Sequence, residues 1–84
     1  MKPIRLTAHA RSYLHRRGFS IEEVERAIRS QPWQPAELGR LECRKEFEFN
    51  DVWNNKFYAT KQVRPVFVEE ETEIVVITVY TYYY

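Results

Sequence analysis

The most apolar run in the chain covers residues 74–80, and nearly every residue in it is β-branched or aromatic. Such residues favour an extended backbone, because their side chains pack well on a pleated surface. Alternate residues of a strand point to opposite faces, which gives the run one wholly apolar row made of Val75, Ile77 and Val79. The second row becomes polar at Thr78 and Tyr80. The pattern predicts a strand in the interior of a sheet, with at least one face covered by another layer.

Helical periodicity predicts a first helix over residues 8–17. Thr7 is placed to cap its N-terminus, because a threonine hydroxyl can accept a bond from the free amides of the first turn. The apolar positions fall at i, i+3 and i+4 and form one narrow buried stripe, made of Ala10, Tyr13 and Leu14. Gly18 ends the helix, since glycine takes a left-handed conformation at the least steric cost.

A second helix begins at a capping box formed by Ser20 and Glu23, in which each side chain can bond the other's backbone amide. It ends at Gln31, because the residue before Pro32 is pushed out of the α region. The two helices are therefore predicted to form a hairpin with a tight turn at Gly18.

The middle of the chain alternates as strands do. Residues 41–49 place apolar side chains on one side and charged ones on the other, which predicts a half-buried antiparallel strand. Residues 57–63 form a weaker strand, and Pro65 after it implies an edge, a bulge or a break, because proline has no amide donor. Extended structure resumes at residues 66–68. The order predicts an α+β fold over residues 1–84 as a single domain, with an N-terminal helical hairpin packed on one face of a three- to four-stranded antiparallel sheet.

Composition and charge limit the function classes. Residues 1–29 hold seven Lys and Arg against three Glu, whereas residues 30–84 hold six against nine Asp and Glu, so the net charge of +1 hides a basic front. A basic front half can attract a polyanion or an acidic protein. The single cysteine, Cys43, permits no internal disulfide, and no apolar stretch resembles a signal peptide or a membrane span. These features predict a cytoplasmic protein with no membrane contact.

One edge of the first helix carries the candidate chemistry, because His9, Tyr13 and Arg16 share it at 100° per residue. An imidazole, a phenol and a guanidinium together can serve phosphate chemistry as a base or acid, a donor and a fork for oxygen atoms. The alternative is that His9 bonds a backbone carbonyl and Arg16 pairs with an acid on the sheet. His9, His15 and Cys43 do not have metal-ligand spacing, so neither a metal nor a cofactor is expected.

Aromatic residues supply candidate contact surfaces. The C-terminal tyrosines at residues 80–84 can stack on nucleic-acid bases or anchor a protein interface. They can also simply extend the last strand or form a frayed end. Trp33 and Trp53 lie in loop-like segments, where they either contact a partner or pack the loops.

Three segments, residues 4–10, 16–24 and 77–80, resemble a small prokaryotic domain family of unknown function. That family opens with an L-T-x-H-A, R-G-I-S and E-x-V pattern and ends with an I-T-V-Y strand. It is similar in turn to the RelE-like and BrnT-like toxins, whose fold is a helical hairpin on an antiparallel sheet. Those toxins are commonly metal-independent ribonucleases that a partner antitoxin neutralises.

The resemblance implies a ribonuclease toxin of a toxin–antitoxin pair or a catalytically silent relative. In an active protein, the 2′-hydroxyl would attack the adjacent phosphate with His9 as base or acid, and Arg16 and Arg64 would stabilise the phosphorane. Tyr80 would stack on a base or donate a proton. RNA or a partner would contact the remaining candidates, which are Arg17, Tyr13, Trp33, Trp53 and Tyr82. The alternative is a non-enzymatic protein–protein interaction domain that uses exposed Trp and Tyr side chains, alone as a homodimer or with another protein.

Overall fold

The computed structural model describes residues 2–84, which contain three short helices and six strands. Strands make up 48% of the structure, and helices make up 27% when a short 3₁₀ turn is counted with them. In chain order the elements are β1 (Ile4–Leu6), α1 (Ala8–Ser12), α2 (Leu14–Arg17), α3 (Ile21–Ser30), β2 (Gln34–Pro35), a 3₁₀ turn (Glu37–Gly39), β3 (Leu41–Glu42), β4 (Lys45–Trp53), β5 (Lys56–Glu69) and β6 (Ile74–Tyr83).

All six strands belong to one sheet in the order β1-β6-β5-β3-β2, and β4 pairs with β5 on the same side as β3. β1 runs parallel to β6, and every other pair is antiparallel. β5 is the longest strand, with 14 residues, and it joins β6 on one side to β3 and β4 on the other. Because β6 lies between β1 and β5 over residues 74–76, the predicted interior strand near the C-terminus is confirmed for that part, and beyond Val76 one side of β6 is an edge.

The predicted helical hairpin on a three- to four-stranded antiparallel sheet is wrong. The sheet has six strands and one parallel pair, and it outweighs the helices. The predicted first helix is broken at Tyr13, whose amide donates to Ala10 O, three residues back, at 3.3 Å. α1 and α2 therefore span only five and four residues. Each is too short to cover a sheet face as a helix of a hairpin would.

α3 supplies the main layer over the sheet, since its buried side chains pack in one core cluster with Val63 of β5 and Val76 of β6. The capping box that predicts its start is confirmed: Glu23 N donates to Ser20 Oγ at 3.1 Å, and Ser20 N donates to the Glu23 carboxylate at 2.9 Å. The Thr7 cap of α1 is confirmed as well, since Thr7 Oγ1 accepts from an amide of the first turn.

Pro65 explains why residues 41–53 form two strands rather than one. Leu41 of β3 pairs with Phe67 and Lys45 of β4 pairs with Val63, so the register is unchanged across the gap. Cys43 faces Pro65 in that register and donates its amide to Pro65 O at 3.4 Å. Proline has no amide, so Pro65 cannot donate a hydrogen bond back to Cys43. The gap between β3 and β4 therefore falls opposite Pro65, while β5 itself continues.

A β-bulge in β6 rearranges its two faces. Val66 pairs with Thr78 and Phe67 pairs with Val76, which leaves Ile77 without a partner residue. The bulge moves Val79 to the core side, where it is fully buried in the same cluster as Val76. The predicted apolar row of Val75, Ile77 and Val79 is therefore wrong. Thr78, Tyr80 and Tyr82 lie together on the opposite, open face.

The C-terminal tyrosines extend β6, because Tyr84 and Thr60 exchange backbone bonds of 3.0 and 2.8 Å. Tyr83 points toward the helices and lies at the centre of an aromatic cluster, stacked on Trp53 at 5.0 Å between ring centroids. Its hydroxyl donates to Arg17 O and Gly18 O at 3.0 and 3.2 Å. Burial raises the pKa of Tyr83 to about 12, and the nearby Glu23 charge adds to the shift.

Candidate nucleic-acid interface

Five of the side chains singled out in the sequence form a continuous line of contacts, the cation–aromatic row, made of His9, Tyr13, Arg17, Tyr80 and Arg64. The His9 and Tyr13 rings meet edge to face with centroids 5.0 Å apart. Arg17 Cζ lies 3.9 Å from the Tyr13 centroid and 5.1 Å from the Tyr80 centroid. Arg64 Cζ lies 5.3 Å from the Tyr80 centroid on the other side. The row therefore joins helix α1 to the open face of the sheet.

Arg17 is the link in this row because α2 ends beside the outer edge of β6. β1 pairs only with the first three residues of β6, so the edge beyond it is free to bind a helix end. Arg17 Nη1 donates to Val79 O at 2.8 Å and to Thr78 Oγ1 at 3.3 Å. The Arg17 carbonyl in turn accepts from Thr81 Oγ1 at 2.5 Å. These bonds fix the guanidinium between the two tyrosine rings.

Arg64 is held at the other end of the row by Glu42. The carboxylate accepts from Arg64 Nε and Nη2 at 2.8 and 2.9 Å, a bidentate pair. Arg44 approaches the same carboxylate at 3.5 Å. These interactions, of which the hydrogen bonds from Arg64 contribute most, hold the pKa of Glu42 below its usual range. They outweigh the burial of the side chain, which acts to raise that pKa. Arg64 Nη1 also donates to the Tyr82 hydroxyl at 3.2 Å, so Arg64 orients both exposed tyrosines.

Arg16 is exposed, and its Cζ lies 5.3 Å from the Tyr13 centroid, so both Arg16 and His9 contact the same ring. Within residues 2–84, no carboxylate lies within ion-pair distance of Arg16, and the His9 imidazole makes no hydrogen bond. The alternative in which both side chains are satisfied by the fold is therefore not seen in the described structure. His15 is exposed on α2.

A groove of about 540 Å³ lies beside Tyr80 on the open face. It is bounded by Arg40 and Arg64, with Thr78 and Val66 in its floor and the turn around Leu38 along its rim. The segment that follows the loop-like stretch around Trp33 borders this sheet face, a contact that the sequence pattern does not predict. The alternation of polar Gln62 and Arg64 with buried residues along β5 was the available signal for that face.

The two tryptophans are used in packing. Trp33 meets Phe67 edge to face at 5.0 Å, and its Nε1 donates to Ile28 O at 2.8 Å. Trp53 stacks on Tyr83 with an interplanar angle of 15°. Both rings are half-buried, so each offers only a partial surface to RNA or a protein.

The described residues do not suggest metal or thiol chemistry. No group of three or more His, Cys, Asp or Glu side chains within residues 2–84 could hold a metal ion. Cys43 is buried, and burial raises the pKa of its thiol to about 11, so the thiol is protonated at neutral pH. In the same part of the chain, no helix is long and apolar enough to cross a membrane.

No protein-family model matches the chain, and no curated protein or solved structure matches it with significant similarity. Chemically, the site presents guanidinium groups that can pair with phosphates, tyrosine rings that can stack on bases, and one imidazole that can move a proton.

Proposed function

We propose that the cation–aromatic row binds RNA and that His9, at its exposed end, cleaves the bound strand without a metal. The observation that carries this proposal is the position of Arg17 between Tyr13 and Tyr80. It connects the imidazole on α1 to the stacking surface on the sheet. Ribonuclease chemistry is also what the resemblance of residues 4–10, 16–24 and 77–80 to relatives of the RelE-like toxins implies.

The proposed reaction is an internal transesterification. His9 takes the proton of a ribose 2′-hydroxyl, and the 2′-oxygen bonds to the adjacent phosphorus. The bond from phosphorus to the 5′-oxygen then breaks, and that oxygen takes a proton from water. The products are a 2′,3′-cyclic phosphate and a 5′-hydroxyl. Arg16 is suited to stabilise the charge on the phosphorane, because it contacts the same Tyr13 ring as His9.

Arg64 and Tyr80 take a binding role in this proposal. His9 and Arg64 stand at opposite ends of the row and are linked only through Tyr13, Arg17 and Tyr80. Arg64 is also engaged by Glu42 on two of its nitrogens. We therefore assign Arg64 and Tyr80 to the neighbouring nucleotide rather than to the phosphate that reacts.

The single free cysteine supports a cytoplasmic location.

The test uses single-stranded RNA in the presence of a chelator, with wild type, His9→Ala and His15→Ala. His15 is the matched control, since it is also exposed and lies on α2 outside the row. Wild type and His15→Ala should produce 2′,3′-cyclic phosphate ends, and His9→Ala should be slower by roughly 10²–10⁴-fold, the usual contribution of an acid–base group. Equal cutting by His9→Ala, or no cutting by wild type, would refute the catalytic assignment.

A second candidate function is a protein–protein interaction domain, and the hairpin between β4 and β5 favours it. Val52 and Phe57 pair directly across this hairpin and remain 57% and 60% exposed. Contiguous apolar surface that stays exposed in the folded chain marks candidate contact surfaces, and this pair supplies its core. This candidate predicts concentration-dependent self-association by light scattering that Phe57→Ser abolishes. A monomer at every concentration, with no protein partner co-purifying, would rule it out.

A further inference from the structure

The open face carries a ladder of exposed tyrosines that cleavage chemistry does not need. Tyr80, Tyr82 and Tyr84 alternate along the end of β6, and their exposure rises from 38% to 44% and 55%. Alternate residues of a strand lie about 7 Å apart. That spacing is too wide for bases that stack on one another, and it suits an extended strand in which each base lies on its own ring.

Charge is distributed unequally on the two sides of this tyrosine ladder. On the outer side, α2 carries the cations Arg16 and Arg17. On the inner side, Arg64 and Arg44 share the Glu42 carboxylate. Further along, Tyr82 pairs with Gln62 of β5, and Gln62 pairs with Glu46 of β4. Residues paired across strands share a face, so an amide and then a carboxylate lie beside Tyr82. Among the described residues, the outer arginines have no carboxylate partner, whereas the inner ones are paired with Glu42, so phosphates are attracted more strongly to the outer side of the tyrosine ladder.

We propose that the tyrosine ladder binds extended single-stranded RNA with its backbone along α2 and its base edges directed toward Gln62 and Glu46. This inference rests on the proposed RNA function and names the substrate class. A duplex is excluded, because its base faces are already stacked and its edges are already paired. The acidic residues of β4, which would repel a phosphate backbone, become acceptors for base amino groups.

The polarity of Glu46 predicts a preference among bases. An ionised carboxylate can only accept hydrogen bonds, and cytosine presents an amino group where uracil presents a carbonyl oxygen. Cytosine and uracil have the same size, so they isolate this difference. We expect cytidine strands to bind more tightly than uridine strands.

The experiment measures the fluorescence anisotropy of labelled 2′-O-methyl C8 and U8 strands at low salt with a chelator. The methyl group blocks the 2′-oxygen, so binding is read without cleavage. Wild type should bind C8 at least fivefold more tightly than U8. Tyr82→Leu, which keeps an apolar strand residue, should weaken C8 binding about tenfold or more through the loss of one stacked base. Glu46→Gln should remove the preference for C8.

Two controls make the outcome decisive. Glu71→Gln changes the same charge in the exposed turn between β5 and β6 and should leave both affinities unchanged. Circular dichroism melts should show that each variant is folded. Unchanged C8 binding by Tyr82→Leu, or an equal preference for C8 in Glu46→Gln, would overturn the proposal. If the wild-type protein binds C8 but does not cleave unmodified RNA, or if His9→Ala cleaves as fast as wild type, only the catalytic assignment of His9 is overturned. C8 binding that does not depend on Tyr82 would overturn only the tyrosine ladder.

Discussion

Replacing Gly18 by alanine should destabilise the protein far more than the same change at Gly39. Both glycines are left-handed, with φ of 72° and 71°, so both substitutions strain the backbone by roughly 1–2 kcal/mol. Their surroundings differ. A Cβ at Gly39 would meet nothing within 4 Å, whereas a Cβ at Gly18 would collide with the Tyr83 hydroxyl and lie 2.7 Å from the Trp53 ring.

The additional loss of stability at Gly18 arises because the new Cβ displaces the side chains of Tyr83 and Trp53. Tyr83 and Trp53 are stacked, and such aromatic pairs contribute about 0.5–1.5 kcal/mol beyond their burial. The Tyr83 hydroxyl also bonds Arg17 O and Gly18 O, and losing a net hydrogen bond costs about 1 kcal/mol. We therefore expect Gly39→Ala to lower the free energy of unfolding by about 1–2 kcal/mol and Gly18→Ala by about 3–4 kcal/mol.

Urea unfolding followed by far-ultraviolet circular dichroism gives both values on one scale. The two variants share backbone strain, so their difference reports the aromatic cluster. Gly18→Ala should lower the free energy of unfolding less in a Trp53→Leu background than in wild type, because one of the two obstructing side chains is gone. Equal losses at Gly18 and Gly39, within about 0.5 kcal/mol, would refute the packing argument.

Three further predictions concern other parts of the fold. Glu42→Gln should be less stable than wild type at pH 7, because it removes the bidentate acceptor of Arg64. Folding lowers the pKa of Glu42 from 4.5, so the stability difference between wild type and Glu42→Gln is complete above pH 4.5 and shrinks as the pH falls through the lowered pKa. Urea unfolding of both proteins from pH 7 to pH 3 would measure this difference. A constant difference would contradict this. Cys43 should react with a thiol reagent only upon unfolding, because its pKa of about 11 and its burial suppress the thiolate, so rapid labelling of the native protein would contradict the structure. Ser20→Ala should lower the free energy of unfolding by about 1 kcal/mol, whereas Ser30→Ala at the other end of α3 should change it less.

The sequence identifies residues of the candidate site but not how most of them are arranged in space. The first helix alone brought together His9, Tyr13 and Arg16, because helical spacing is fixed. The contact between Arg17 and Tyr80 depends on where α2 meets β6. It joins residues more than 60 positions apart, so helical spacing cannot predict it. Glu42 looked like one of several solvent-facing carboxylates, but the structure pairs it with Arg64, 22 residues away.

Local chemistry in the sequence by itself determined the helix caps, the turn at Gly18 and the interior strand near the C-terminus, because each depends on neighbouring residues. The sequence predicts an edge, a bulge or a break at Pro65 itself, whereas β5 continues through Pro65 and the interruption lies on the partner strand. Tertiary structure alone decided that β1 pairs in parallel with β6, that a bulge at Ile77 moves Val79 into the core, and that the sheet outweighs the helices. These features depend on hydrogen bonds between distant segments. Side-chain alternation cannot reveal them, since a one-residue shift in register exchanges the two faces of a strand.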